Sequence, residues 1–338
     1  MKKTILFIVG LGHSGSTILD MALGSHPDAF SLGEIVHLPS QMLGNIMCVC
    51  GKSTRDCPFW LKVNDKLRAR YHCDLLKDPH AFNLALDAGA FGENTIIRLM
   101  NKGLFLTRGP EVLTDHPWIM HTKALYEAVF SVSGAHVLID STKFLNRALL
   151  LGSVLKEYQV RFIHLIRDCR GIVASLMRDT YSVVLPGRKE RQGFPRKSCP
   201  PKKSVPIWIY GNLKITLLLS LLIRPGHWKM VRYEDFCDQP EVIFPDLAKW
   251  LNLTYHEDMI RFGMSEHHNI WGNPSRFNSK CIRPAERKWK TQLSEPVIRM
   301  VNRRAGIFNR LYGFGNGTRL SPKNEQPCSE PQGMTHFK

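Results

Sequence analysis

The stretch Gly10-Leu-Gly12-His13-Ser14-Gly15-Ser16-Thr17 carries the densest chemical content in the chain. It fits G-x-x-x-x-G-x-T directly after an apolar run and ahead of a helical pattern. Glycines let the backbone curl so that its N–H groups point inward, and the following helix start adds partial positive charge. Gly12, His13, Ser14, Gly15, Ser16 and Thr17 are therefore expected to cradle an anionic oxygen cluster. Ser16 stands where such loops usually carry the lysine that reaches the β and γ phosphates of a nucleoside triphosphate, which argues against ATP hydrolysis. A second anion site is suggested by Ile166-Arg167-Asp168-Cys169-Arg170, with Ser175 a turn and a half into the next helical pattern. A guanidinium fork and a hydroxyl can grip one phosphate there. Alone, an Arg-Asp pair reads as a structural ion pair; in company with the first loop it reads as a second phosphate site.

These residues need elements to hold them, and the chain supplies strands alternating with helices. Ile5 to Gly10, His136 to Asp140, Gln159 to Arg167 and Trp228 to Tyr233 read as buried strands. Helical patterns run over Thr17 to Gly24, Phe144 to Tyr158, from Gly171 to Met177 and from Pro240 to Leu251. Such alternation predicts right-handed crossovers and an α/β, three-layer fold with a mainly parallel central sheet, like that of phosphate-loop nucleotidases, with ligands at the carboxyl ends of its strands. Residues 39–135 read as a helical insertion or lid, with helices over Ala81 to Met100 and Trp118 to Val132. The five prolines between residues 183 and 206 predict an extended, mobile loop. The chain is read as one domain over 1–319 with a frayed tail over 320–338.

Composition narrows the classes further. With 338 residues, 43% hydrophobic and 22% charged, the chain excludes fibrous and disordered readings. Its net charge of +17 is confined to residues 181–230 and 275–310, which favours an anionic ligand or surface, with two solvated helix faces as the plain alternative. Nine cysteines are too sparse for a disulfide scaffold, so a reducing, cytoplasmic setting is expected. Ile215 to Ile223 is too short to span a bilayer, and no transmembrane helix is expected.

The loop and the Arg-Asp motif together resemble the sulfotransferases that use 3′-phosphoadenosine 5′-phosphosulfate (PAPS). Gly12 to Thr17 looks like their 5′-phosphosulfate loop, and Arg167-Asp168-x-Arg170 with Ser175 looks like their 3′-phosphate motif. Further similarity runs in order to about residue 315, through His26-Pro27, Gly33-Glu34, Asp140-Ser141-Thr142-Lys143, Arg232-Tyr233-Glu234-Asp235 and Gly272-Asn273-Pro274 to Ile282-Arg283-Pro284. The Cys48-x-Cys50-Gly51 to Cys57-Pro58-Phe59-Trp60 segment is similar to one seen in many bacterial members. The resemblance implies sulfonate transfer from PAPS to a hydroxyl of a carbohydrate, lipid or other small molecule, with release of adenosine 3′,5′-bisphosphate (PAP) and no required metal. It assigns Glu34 as general base, Lys143 to the sulfonate and bridging oxygen, Tyr233 to adenine or phosphate, and Ser275 and Arg283 to a loop closing over the nucleotide. His13 departs from the pattern, since members usually carry Arg or Lys there.

Several alternatives stay open in the sequence. His37 competes with Glu34 as base, because a neutral imidazole suits proton abstraction near neutral pH, and Glu34 could instead pair locally. Asp140 could hold magnesium in a phosphate-loop kinase, and the basic stretches could bind nucleic acid, though none is expected with so few aromatics among them. Peripheral association with anionic surfaces fits the same charge, and the oligomeric state is not encoded. The C-x-C-x₆-C spacing of Cys48, Cys50 and Cys57 is not a standard zinc knuckle. Buried free thiols are expected, with a disulfide, or zinc completed by Cys73 or His72, as alternatives. The tandem His267-His268 is expected to pack in a loop.

Overall fold

The computed structural model describes residues 2–80, 82, 116–184, 190–195 and 197–315. Strand β1 (Thr4–Gly10) is buried along its whole length, as an unbroken apolar run inside a parallel sheet must be. It is followed by α1 (Ser16–Gly24), β2 (Ala29–Gly33), α2 (Leu38–Leu43), α3 (Pro58–Tyr71) and α4 (Pro117–Ser133). Next come β3 (Val137–Lys143), α5 (Leu145–Val154), β4 (Gln159–Ile166), α6 (Cys169–Met177), β5 (Thr180–Val184) and β6 (Arg191–Pro195). The chain continues with α7 (Pro201–Leu222), β7 (Trp228–Arg232), α8 (Tyr233–Asp238), α9 (Pro240–Trp250), α10 (Trp289–Gln292) and α11 (Glu295–Leu311).

Five strands form one sheet in the order β2-β3-β1-β4-β7, with every pairing parallel. Side chains of β1 alternate between its faces. Ile5, Phe7 and Val9 join residues of α3, α4 and α5, while Leu6 and Ile8 join α1, α8 and α9. A third cluster packs α6, α7 and α11 together. The expected three-layer α/β architecture is present. Because β1 lies between β3 and β4, the carboxyl ends of these three strands converge where open α/β sheets bind ligands.

Of the loop expected over 183–206, residues 185–189 and 196 lie outside the described residues, and the described remainder is largely regular structure. β5 and β6 pair antiparallel, and α7 begins at Pro201 with Pro206 inside it. Pro201 is tolerated because the first helical N–H has no intrahelical partner. Pro206 is exposed, so water can serve the carbonyl it leaves unbonded. At 22 residues, α7 is the one helix among the described residues long and apolar enough to cross a bilayer by length and composition. Counting only the uninterrupted apolar run overlooked it, since its apolar residues continue on both sides of Asn212 and Lys214. Its Val205, Trp208, Ile215 and Leu219 are buried within the domain. Of the insertion, α2, α3 and α4 are helical as expected. The helix expected over 81–100 lies outside the described residues apart from Phe82, and so does the tail over 320–338.

Candidate functional site

The loop after β1 turns sharply before α1. His13 and Gly15 take left-handed backbone conformations, with φ of 68° and 97°, and the Ser14 hydroxyl donates to the Leu11 carbonyl at 2.8 Å. Gly15 caps α1 without a side chain, which leaves the first-turn N–H groups to face whatever sits at the helix start. No larger residue fits at Gly15, because a Cβ there would lie 2.2 Å from the Tyr233 ring. Thr17 is buried, and its hydroxyl accepts from the Asn273 N–H at 3.0 Å. That bond ties the loop to a strap of chain 256 residues further on.

The strap is built onto the edge of the sheet. Ile270 bridges β2 in parallel at Gly33. The Ile270 N–H donates to the Leu32 carbonyl at 2.9 Å, and the Glu34 N–H donates to the Ile270 carbonyl at 2.7 Å. Glu34 is thereby fixed directly after β2, where its carboxylate forms an ion pair with Lys143 at the end of β3. The Lys143 backbone is itself left-handed, with φ 73°, a conformation disfavoured for a residue with a Cβ and held here by the surrounding structure. His37 Nε2 lies 3.8 Å from the other Glu34 oxygen, and its ring packs on Trp271 at 4.8 Å between centroids. Glu34, His37 and Lys143 therefore meet in one place.

Beneath them, Asp20 of α1 is wholly buried and its second oxygen accepts from the Ser31 hydroxyl. Burial, opposed by that bond and reinforced by the negative charges of Asp140 and Glu34, pushes its carboxyl up to about 8. It is neutral at pH 7 and adds no negative charge behind the loop. Asp140 is equally buried, but its oxygens are taken by Arg147 Nη1 at 2.6 Å, the Tyr126 hydroxyl at 2.5 Å and the Thr142 N–H at 3.0 Å. Its oxygens are thus occupied within the domain by an arginine, a phenol and a backbone N–H, the reverse of what a magnesium-dependent kinase would ask of it.

At the end of β4, Arg167 donates from Nη1 to the His13 carbonyl at 3.1 Å, and its guanidinium lies 4.2 Å over the Tyr233 ring. Its Nε faces Gly171 of α6 at the place where a Cβ would stand 3.0 Å away. Ser175 follows one turn later on that helix and receives a bond from Arg178 Nη2 at 3.1 Å. Asp168 and Arg170 form the buried structural pair of this motif at 2.6 Å. Arg170 stacks on Trp289, and Asn309 also donates to Asp168. Glu234 accepts from the Asp168 N–H. Burial first, then the Asp168 charge, pushes its carboxyl up to about 7. Tyr233 lies between Gly15 and Arg167, and burial raises its phenol well above the ordinary range.

Ser275 sits in a short turn opened by Asn273, whose side chain accepts from the Ser275 N–H at 2.9 Å, so it stands two residues from the contact with Thr17. Arg283 is exposed in a different segment, next to Ile282, whose N–H donates to the Ile260 carbonyl. Trp271 and Asp20 escaped the sequence reading, and Asn273 stood there within a motif but without a role. Trp271 directly precedes the Gly272-Asn273-Pro274 motif; nothing local marked Asp20. Neither Cys73 nor His72 joins Cys48, Cys50 and Cys57. The fourth group there is His268, while His267 bonds to the Phe262 carbonyl at 2.8 Å.

No family model matches the sequence, and no curated protein matches it. Among solved structures, the chain is similar to the sulfotransferase domain from the curacin biosynthetic pathway, at 17% identity and a TM-score of 0.51, covering 91% of this chain and 98% of that one. It is also similar to the sulfotransferase domain from the Synechococcus PCC 7002 olefin synthase, at 18% identity and a TM-score of 0.49, covering 89% and 94%. At these identities the likeness is one of fold.

Proposed function

We propose that this protein is a PAPS-dependent sulfotransferase that moves the sulfonate to a hydroxyl acceptor by in-line displacement and releases PAP. The observation that carries the reading is the meeting of Glu34 and Lys143 at the sheet edge that also presents the glycine loop and Arg167. The loop N–H groups and the α1 start would receive the 5′-phosphosulfate, and Arg167 with Ser175 the 3′-phosphate. Glu34 would take the acceptor proton while the acceptor oxygen bonds to sulfur. The bond from sulfur to the bridging oxygen breaks, and its electron pair leaves with PAP. Lys143, held on Glu34 before the donor arrives, would turn to the bridging oxygen and meet the charge developing there, with His13 beside the departing phosphate.

The acceptor is a carbohydrate, lipid or other small-molecule alcohol. Ile207, Tyr210, Leu217 and Leu221 form an exposed stripe on α7, with Lys202, Lys203 and Arg224 at its ends, which supports contact with an anionic membrane. Co-sedimentation with phosphatidylserine vesicles but not neutral ones tests that contact. For the reaction, calorimetry should give tighter binding of PAP than of AMP, and labelled PAPS should deliver its sulfonate to an alcohol in a metabolite extract. Stabilisation by ATP with magnesium but not by PAP would overturn the reading in favour of a kinase, and stabilisation by an oligonucleotide alone would favour nucleic-acid binding.

A further inference from the structure

Cys48, Cys50, Cys57 and His268 bring their ligand-type atoms within 4.8 Å of one another, from segments more than 200 residues apart in the chain. Cys50 Sγ lies 3.7 Å from Cys57 Sγ, and His268 Nδ1 lies 3.3 Å from Cys57 Sγ and 4.0 Å from Cys48 Sγ. A tetrahedral zinc with Zn–S bonds of about 2.3 Å and a Zn–N bond of about 2.0 Å separates its ligand atoms by about 3.5–3.8 Å. The four side chains are therefore spaced around a metal rather than packed as an ordinary core.

Three features outside the ligand atoms also suit a metal. Cys48 and Cys50 stand on a tight turn in which Gly51, at φ 88°, donates to the Cys48 carbonyl at 3.0 Å and Cys48 donates to the Lys52 carbonyl at 2.8 Å. The imidazole of His268 is stacked on Phe59, with centroids 5.0 Å apart and planes 8° apart, which fixes its orientation. Its other nitrogen, Nε2, faces Glu266 at 3.2 Å, the carboxylate partner that metal-ligating histidines commonly use to set their tautomer. Three thiol ligands and one imidazole select zinc over hard cations, and four protein ligands close the shell as structural sites do.

We propose that Cys48, Cys50, Cys57 and His268 bind one structural Zn²⁺, which fastens the strap at Glu266–Asn273 to the turn before α3. The inference does not depend on the reaction assigned above. Its consequence is local: Ile270, Trp271 and Asn273, which hold Glu34, His37 and Thr17, lie two to five residues beyond the ligand His268.

Elemental analysis of protein purified without added metal or an affinity tag should find about one zinc per chain, and X-ray absorption should show three sulfurs and one nitrogen around it. Cys50→Ser and His268→Ala should lose the zinc, and Cys73→Ser should keep it. Dipicolinate should lower the melting temperature of the wild type by several degrees and raise hydrogen exchange at 266–273, both reversed by zinc sulfate. If either variant fails to fold, uptake and chelation in the wild type still decide the matter. The proposal is overturned by metal-free protein that competes for no zinc against a chromophoric chelator, by a zinc shell lacking the three sulfurs, or by a Cys50–Cys57 disulfide in the native protein.

Discussion

Replacing Arg167 with alanine tests the second phosphate site, and the structure separates two effects that a single binding constant would merge. Arg167 steadies the loop through its bond to the His13 carbonyl and its stacking on Tyr233. Together these are worth about 1–2 kcal/mol of loop order, and their loss weakens any ligand that uses the loop. A direct charge-assisted bond to a 3′-phosphate adds about 1.5–3 kcal/mol, or roughly 10- to 150-fold in Kd. Only ligands that carry that phosphate feel its loss. Titrating wild type and Arg167→Ala with PAP and with AMP closes a cycle. PAP should weaken by roughly 10-fold or more beyond the loss seen with AMP, and Arg167→Lys should recover only part of it, since an ammonium lacks the fork. Equal losses for PAP and AMP would show that Arg167 acts on the loop alone, and the assignment of the 3′-phosphate to it would fall.

Glu34→Gln should leave PAP affinity near wild type while turnover drops roughly 10²- to 10⁴-fold; normal turnover in it, beside an inactive His37→Asn, transfers the base to His37. If a protonated His13 imidazole assists the sulfonate, His13→Arg supplies a charge that pH does not remove, and the ratio of variant to wild-type turnover at saturating PAPS should climb with pH. A flat ratio would leave the required cation to Lys143. Asp20, with its carboxyl pushed up to about 8 chiefly by burial, keeps in the folded chain a proton that the unfolded chain releases above about 4. Its contribution to stability is complete below about 4 and is lost as pH rises towards 8, so Asp20→Asn should gain on the wild type across that window in urea melts. Parallel stability curves for the two proteins would contradict a buried neutral carboxyl.

The strands of the sheet were legible because their burial on both faces leaves apolar runs, continuous in Ile5 to Val9 and broken only by His164 in Phe162 to Ile166. β2 was not, being only five residues long with Ser31 turned inward to Asp20. α11 was hidden inside a stretch read for its charge. It carries Arg299, Arg303, Arg304 and Arg310 outward and buries Val301 and Ala305, so part of that positive charge is a solvated helix face. In the site, Glu34, Lys143 and Arg167 stand at strand ends, positions that sequence order reveals. His268 belongs with the cysteines only through a fold that brings together residues 211 positions apart, a distance no local spacing rule spans.

The strap has a bearing on how the chain is made. Thr17 and Glu34 leave the ribosome early, but their backbone and side-chain partners, Ile270 and Asn273, follow more than 230 residues later. Contacts of such long separation form late, after the loop between them has been closed. A nascent chain stalled before Ile270 would hold the glycine loop, Lys143 and Arg167 yet lack the segment that fixes Glu34 after β2. Synthesis itself thus orders assembly, with the half that carries the glycine loop first and the strap contacts after it, so that a truncated product folds in part without completing the site.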